Sequence, residues 1–230
     1  MRLVSPELHF DLSQERERKN RYMITTIIIC LLIGYGCGCF STGYFVGKAN
    51  NMDIRKEGSG NAGATNALRT LGIKAALITF LGDAFKAIIP IVVYRIMFAD
   101  KTAYWELYAL YIGLGVVLGH NFPFYLNFKG GKGIAAMGGI IISIADPRIT
   151  LAGIIIFVSV VAISRYVSLG SLIVAWLLPL NTFLFYKESP VFLHMMIISF
   201  LFTILAYLRH WQNIKRLLSG TERKIGVKNK

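Results

Sequence analysis

The sequence contains few acidic residues for its length. Twelve Asp and Glu stand against 25 Lys and Arg among 230 residues, which gives a formal net charge of +13. A basic excess of this kind is found in nucleic-acid-binding domains, where it lines a groove, and in membrane proteins, where it lies in cytoplasmic loops. The positions of the basic residues along the chain therefore decide between these two classes.

Cysteine and histidine are also scarce, with three and four copies. Cys30, Cys37 and Cys39 all fall within one apolar run and form neither a disulfide framework nor a metal-ligand spacing. No Asp follows His120 or His210 by five residues, so the His-x4-Asp signature of many acyltransferases is absent. We expect no metal and no cofactor.

Charged residues make up only 16% of the chain, whereas 55% of it is hydrophobic. This composition is too apolar for an ordinary soluble domain, so we predict an all-α integral membrane protein. We expect a polar N-terminal extension, residues 1–22, and a single multi-pass domain, residues 23–230. The apolar runs predict a bundle of seven transmembrane helices at 23–46, 73–98, 104–122, 134–145, 149–163, 169–186 and 191–208.

The fourth apolar run has about 12 residues, too few to cross a bilayer unless the glycine-rich entry before it is helical too. An alternative with five spans, in which the fourth and fifth runs are re-entrant or interfacial, therefore stays open. The charge pair Asp83 and Lys86 in the second run is three residues apart, so both side chains share one helical face and are expected to point into the bundle.

The loops between the seven predicted spans differ sharply in charge. The loops on one side carry most of the basic residues, while the opposite loops hold only Lys101, Arg148 and Lys187, each near an acidic residue. The positive-inside rule then places the C-terminus in the cytoplasm and the N-terminus outside. We expect the lipid bilayer, and not nucleic acid, to be the partner of this basic chain.

A glycine-rich stretch, residues 57–69, lies between the first two predicted spans. Its Gly58-x-Gly60-x-x-Gly63 spacing matches the dinucleotide-binding fingerprint, but it follows a membrane span and not a buried strand, which excludes a Rossmann fold. Glycines allow close approach of the backbone to a ligand, and a helix beginning after them would aim N–H groups at an anion. A flexible turn capped by Ser59 or Asn61 is the alternative.

Four polar segments rich in anion-binding groups fall on the predicted cytoplasmic side. Residues 129–133 form a Lys- and Gly-rich loop, but no Ser or Thr follows the Gly-Lys pair, so this is not a nucleotide-binding P-loop. Two lysines that only set the topology are the simpler interpretation of that loop. Together the segments predict one composite phosphate site formed by residues 57–69, 129–133, 164–168 and 209–213.

Several of these motifs, in this order, resemble the bacterial acyl-phosphate-dependent glycerol-3-phosphate acyltransferases. They are the glycine-rich stretch, GHNFP, FKGGKG, RYVSLGS and RHWQNIKRLLSGTE. The resemblance implies transfer of a fatty acyl group from acyl phosphate to the 1-hydroxyl of glycerol 3-phosphate, which gives lysophosphatidic acid and phosphate. It also implies seven spans, a bacterial cytoplasmic (inner) membrane location and an active site on the cytoplasmic face.

The resemblance and the convergence of the segments together give a set of predicted site residues. Those predicted to be catalytic are Ser59, Arg69, Lys132, His210 and Asn213. Those predicted to bind substrate are Gly60, Asn61, Thr65, Asn66, Lys129, Gly130, Gly131, Gly133, Arg165 and Ser168.

Two questions stay open at this level. His210 could be a general base for the glycerol hydroxyl or could donate a hydrogen bond to a phosphate, and the lack of an Asp or Glu placed to orient it slightly favours the second. A membrane transporter for glycerol phosphate or phosphate is the alternative function. Such a protein is expected to place its charges near the midplane and to show inverted repeats, and the sequence shows neither.

Overall fold

The computed structural model describes the backbone of residues 6–226 and the side chains of residues 14–226. The described chain is helical, without strands, which confirms the predicted all-α class. Its helices are α1 (Pro6–Cys39), α2 (Thr42–Ala49), α3 (Ala64–Leu71), α4 (Ile73–Phe98), α5 (Trp105–Asn121), α6 (Ile134–Ile144), α7 (Pro147–Ser164), α8 (Val167–Val174), α9 (Leu177–Phe185), α10 (Phe192–Arg209) and α11 (Trp211–Leu218).

Six helical stretches of the described chain are long and apolar enough to cross a membrane. The remaining predicted span, the fourth (134–145), corresponds to α6, which has 11 residues and a length of about 17 Å, roughly half of a hydrocarbon core. The count of seven spans and the orientation of the termini therefore stay predictions. The six stretches are Gln14–Ala49, Ile73–Lys101, Trp105–Leu126, Pro147–Ser164, Val167–Phe185 and Phe192–Arg209.

The first apolar run is not one continuous helix. Of the predicted polar extension, residues 6–22 belong to α1 and residues 1–5 lie outside the described residues; α1 then ends at Cys39, and the chain breaks at Phe40 and Ser41 before α2 begins at Thr42. A break inside an apolar run leaves backbone carbonyls without helical partners, which is costly away from water. The carbonyl of Phe40 accepts a hydrogen bond from the ammonium of Lys86 at 2.8 Å, so α4 satisfies the group that the break leaves free.

The sixth predicted span is also interrupted, between α8 and α9. Pro179 lies in the first turn of α9 and has no backbone N–H, so it cannot donate to the carbonyl four residues earlier, that of Ala175. The hydroxyl of Thr203 in α10 donates to that carbonyl instead, at 2.8 Å. The interruption thus follows from the proline, and a neighbouring helix compensates for it.

Helix α5 is the centre of the bundle. Fourteen of its residues are buried, and it packs against α1, α4, α6 and α10. These neighbouring helices cover most of its surface, so little of α5 is left to contact lipid. The helices outside this centre expose many large apolar side chains, as expected where a protein contacts lipid.

Small residues allow α1 and α5 to approach closely. A Cβ atom at Gly34 or Gly38 of α1 would overlap the backbone of α5 near Ile112 and Val116. Gly115 and Gly119 of α5 face the α1 backbone in the same way. Gly34 and Gly38 thus form a packing face with Gly-x-x-x-Gly spacing, and α5 contributes a second face with the same spacing.

This interface predicts that Gly34→Ala destabilises the protein, whereas Gly36→Ala does not. A Cβ at Gly34 would collide with the carbonyl of Ile112, but a Cβ at Gly36 meets nothing within 4 Å on the same helix. Overpacking of this kind lowers the free energy of unfolding by about 1–3 kcal/mol, whereas alanine in place of an exposed helical glycine raises it. Thermal unfolding of the purified protein in detergent measures both effects. Equal midpoints for the two variants would contradict the close contact.

Candidate active site

A cavity of about 200 Å³ opens where α3, α11 and the first turns of α6 and α8 meet. Its walls come from segments that are far apart in the sequence. Its inner, buried end is formed by Asp83 of α4 and His120 of α5. The other polar residues that line it are Ser59, Asn61, Thr65, Asn66, Arg69, Lys132, Ser168, Ser171, His210, Asn213, Arg216, Glu222 and Arg223.

The buried side chain of Asn66 organises the glycine-rich stretch. Its Oδ1 accepts hydrogen bonds from the backbone N–H and the hydroxyl of Ser59 at 2.8 and 3.1 Å. Its Nδ2 donates to the carbonyls of Ile54 and Glu57 at 2.9 and 3.0 Å. Two donors and two acceptor positions exhaust the capacity of an amide. The side chain of Asn66 therefore holds the loop in place and has no free group for a substrate.

Gly58 allows the loop to fold over Asn66. Its φ of 56° lies in the left-handed region, and a Cβ there would overlap the Oδ1 atom of Asn66. Only glycine meets both demands without strain. The loop so formed presents Ser59 and Asn61 to the cavity, whereas Gly60 is not part of the cavity wall.

The second glycine-rich loop is held by Arg209 at the end of α10. The guanidinium donates to the carbonyls of Gly130 and Gly131, with distances of 3.2 and 2.9 Å from Nη2. The loop also donates two backbone hydrogen bonds, from Gly130 to the carbonyl of Asn121 and from Gly131 to that of His120, each at 3.1 Å. These glycines therefore position the loop and do not line the cavity.

Lys132 follows directly and reaches the cavity, where its ammonium donates to Oδ1 of Asn213. Burial disfavours the charged amine and lowers the pKa of Lys132 to about 8; the carboxylate of Glu222 opposes this shift and nearby guanidinium groups add to it. Lys132 is thus a largely buried cation with few compensating charges. Such a group is suited to an anionic ligand.

The carboxylate of Glu222 joins three segments of the chain. It accepts hydrogen bonds from Ser168 of α8 at 3.0 Å, and from Asn213 and Arg216 of α11 at 2.7 Å each. Burial alone would raise the pKa of Glu222, but these hydrogen bonds outweigh it and hold the pKa below its usual value. Glu222 is therefore an anion that fixes α8, α11 and the C-terminal segment around the cavity.

His210 lies directly before α11, and its ring has a defined tautomer. Its Nδ1 lies 2.8 Å from the carbonyl of Ala206, which can only accept, so Nδ1 carries the proton and Nε2 has a free lone pair. Burial lowers the pKa of His210 to about 4, and the positive charge of Lys132 adds to the shift. The ring is therefore neutral near pH 7, and Nε2 is a hydrogen-bond acceptor.

The cavity includes most of the residues that the sequence predicted and omits some. Ser59, Asn61, Thr65, Asn66, Arg69, Lys132, Gly133, Ser168, His210 and Asn213 line it. Gly60, Lys129, Gly130, Gly131 and Arg165 do not, and Lys129 and Arg165 are exposed. A role for these five in substrate contact stays a prediction, although Gly130 and Gly131 support the loop that carries Lys132.

Sequence reasoning missed several cavity residues. Arg216 lies one helical turn after Asn213 on α11, so the i, i+3 spacing was the available signal. Asp83 had been expected to point into the bundle with Lys86, and the structure confirms an ion pair of 2.9 Å between buried side chains. His120 stands next to the predicted phosphate loop in space, but no spacing rule connects it to that loop.

Comparison with known proteins supports the resemblance that the motifs indicated. The sequence model of glycerol-3-phosphate acyltransferases matches residues 28–220. Glycerol-3-phosphate acyltransferase from Alkaliphilus metalliredigens is 43% identical over 202 residues, 87% of this chain and 97% of that protein. The enzyme of the same name from Clostridioides difficile is 41% identical over 207 residues, 89% of this chain and 98% of that protein.

Two solved structures have the same fold. Both are crystal structures of PlsY, an integral membrane glycerol 3-phosphate acyltransferase, one in the glycerol 3-phosphate form and one in the lysophosphatidic acid form. The first has a TM-score of 0.74 at 32% identity, and the match covers 88% of this chain and 95% of that one. The polar cavity, the membrane fold and these similarities over nearly the whole chain lead to one conclusion: the chain belongs to the glycerol-3-phosphate acyltransferase family.

Proposed function

We propose that the protein transfers a fatty acyl group from acyl phosphate to the 1-hydroxyl of glycerol 3-phosphate, releasing lysophosphatidic acid and phosphate. This would be the first acylation in phospholipid synthesis. The observation that carries the proposal is the cavity itself, where Lys132, Arg69, Arg216 and Arg223 surround a space lined by backbone of the glycine-rich stretch. Both proposed substrates are phosphate anions, and clustered cations with positioned N–H groups bind such anions.

One side of the cavity is apolar and suits the acyl chain of a lipid-like donor. Phe80, Phe157 and Val167 line it beside the charged residues. Phe80 lies on α4 and is exposed on the outside of the bundle, where lipid is expected. An enzyme built into the bilayer can therefore receive the chain from the membrane while its phosphate meets the cations.

Because acyl phosphate is already an activated anhydride, the reaction needs the hydroxyl aligned with the acyl carbonyl more than it needs a strong base. The hydroxyl oxygen attacks the carbonyl carbon, the bond from that carbon to the phosphate oxygen breaks, and its electron pair leaves with phosphate. Lys132 and the guanidinium groups stabilise the charge on the departing phosphate. In this scheme the Nε2 lone pair of His210, which lines the cavity, accepts a hydrogen bond from the hydroxyl and orients it.

The final proton acceptor in this scheme is the departing phosphate. His210 has a pKa of about 4, whereas the oxygen freed from the broken bond belongs to a fully ionised phosphate, so phosphate is the stronger base. Among the remaining predicted catalytic residues, Asn213 positions the ammonium of Lys132, and Ser59 and Arg69 present a hydroxyl and a guanidinium at the cavity wall. Thr65, Asn61 and Ser168 complete the polar lining.

We place the cavity on the cytoplasmic face of a bacterial inner membrane, with the C-terminus inside. The excess of basic residues in the loops around the cavity supports this orientation. The cavity residues come mostly from loops and from the first or last turns of helices, whereas a transporter for glycerol phosphate is expected to hold its charges near the midplane. The acyltransferase is therefore the better supported of the two functions.

Purified protein supplied with acyl phosphate and glycerol 3-phosphate is predicted to form lysophosphatidic acid and phosphate in equal amounts. Acyl-CoA in place of acyl phosphate should give no product, because the cations are arranged for a phosphate leaving group. Mass spectrometry of the lipid and a phosphate assay measure both products, and a reaction without glycerol 3-phosphate controls for hydrolysis. Turnover with acyl-CoA alone would overturn the donor assignment.

The lowered pKa of Lys132 predicts a loss of activity at alkaline pH. The ammonium is charged below about pH 8 and becomes neutral as the pH rises through that value, so the affinity for phosphate substrates should fall there. Lys132→Arg keeps its charge at all these pH values. In this variant the alkaline limb of kcat/KM for glycerol 3-phosphate should move to higher pH, whatever the absolute rate.

The control is Lys74→Arg, because Lys74 is exposed and is not part of the cavity wall. Its alkaline limb is expected to match that of the wild-type protein. If Lys132→Arg also left the limb where it is, Lys132 would not be the group that controls it.

A further inference from the structure

A second groove lies at the end of the bundle opposite to the active-site cavity. It has a volume of about 1470 Å³ and runs along α1 beside the last turns of α4. Cys30 of α1 and Tyr108 of α5, both buried, line its floor. The active-site cavity instead takes Phe80 and Asp83 from the first half of α4, and among the described residues none lines both spaces. The proposed acyl transfer therefore does not use this groove.

The wall of the groove changes from basic to apolar along α1. Arg18 and Arg21 line the end of the groove nearer the N-terminus, together with Lys101 just beyond α4. Further along α1 the wall is formed by Ile29 and Ile33. The residues of α1 that line the groove recur every three or four positions, so they lie on one face of the helix. The groove is thus basic at one end and apolar at the other.

The positive charge at the basic end is not offset by the protein. Within residues 14–226, neither Arg21 nor Lys101 forms an ion pair. Glu15 is the one acidic residue in the described wall, and its carboxylate lies 2.6 Å from the ammonium of Lys19. Basic groups next to a membrane attract anionic lipid headgroups. The basic end of the groove is therefore suited to such a headgroup.

The distance between the basic and the apolar end matches one leaflet of a bilayer. Arg21 and Ile33 are twelve residues apart on α1, which corresponds to about 18 Å along the helix. The hydrocarbon of one leaflet is about 15 Å thick. Leu32 of α1 and Met97 of α4 are exposed apolar residues of the same helices, as expected where lipid surrounds them. A phosphate at Arg21 thus allows an acyl chain to reach Ile33.

From these features we infer that the groove binds one anionic phospholipid, with its headgroup phosphate at Arg21 and Lys101 and an acyl chain along α1. A small soluble anion would leave the apolar end uncovered. The ammonium of a zwitterionic headgroup would be repelled by the same cations that attract the phosphate. Such a lipid contacts both α1 and α4, away from the site of the proposed reaction, and the inference does not depend on that reaction.

Native mass spectrometry of the full-length protein can compare phosphatidylglycerol with phosphatidylcholine of the same acyl chains, each added to the protein in detergent. The first phosphatidylglycerol is expected to bind on the order of tenfold more tightly, because two cations attract its net charge. Equal affinities would mean that lipid merely coats the protein, and would overturn the inference. A dimer that binds no phosphatidylglycerol would assign the groove to a second copy of the chain and overturn it as well.

The double variant Arg21→Gln with Lys101→Gln should lose most of this preference. Both residues are exposed, so their replacement should leave the fold intact. The matched control is Arg16→Gln with Lys187→Gln, which removes the same charge from exposed residues outside the groove wall and should keep the wild-type preference. An unchanged preference in the first variant, or an equal loss in the control, would show that the groove does not select the lipid.

A phosphatidylglycerol with a diazirine on its acyl chain tests the inference in the wild-type protein. After illumination, peptide mapping should find adducts concentrated on residues 25–33 and 94–98. Excess unlabelled phosphatidylglycerol should suppress these adducts, whereas phosphatidylcholine should not. Labelling spread evenly over the lipid-exposed helices, α7 included, would refute the inference. Formation of lysophosphatidic acid is a separate measurement, so a failure of the proposed function would leave this result unchanged.

Discussion

The electrostatic balance around the carboxylate of Glu222 is the interaction on which the arrangement of the site depends. Lys132, Arg69, Arg216 and Arg223 line one small cavity, and like charges in such a partly buried space repel each other strongly. Glu222 offsets this repulsion and is itself held by Ser168, Asn213 and Arg216. Removal of one partner from such a network leaves a buried charge uncompensated, so the network fixes the relative positions of α8, α11 and the C-terminal segment.

The positive charge that Glu222 does not offset is available to a ligand, because other side chains satisfy the polar groups of the scaffold. Arg209 holds the Gly130 and Gly131 carbonyls, Asn66 holds the Ser59 loop, and Lys86 compensates both Asp83 and the free carbonyl of Phe40. The hydrogen-bonding groups of these side chains are thus used to hold the fold together. The division leaves Lys132 and the guanidinium groups at the cavity wall for the proposed phosphate ligand, and their positions are set by the scaffold.

The sequence was sufficient for the helical class, for most of the membrane spans and for most of the cavity wall, and the reasons for its failures are physical. Apolar runs indicate spans because the bilayer requires them, and the glycine-rich and basic loops indicated the cavity wall because their composition is unusual. The interruption at Ala175 could have been read from Pro179, but the one at Phe40 depends on Lys86, which is distant in the sequence. The hydrogen bonds of Asn66 and His120 are made to partners that come near them only in the folded chain, so no sequence pattern gives them.

The central claim is that the cavity beside Lys132 is where substrate phosphate binds. A crystal structure of the protein with glycerol 3-phosphate tests it most directly. The account predicts the phosphate inside the cavity, within hydrogen-bond distance of the Lys132 ammonium and of at least one cavity guanidinium. Glycerol 3-phosphate bound elsewhere, with the cavity filled only by solvent, would contradict it.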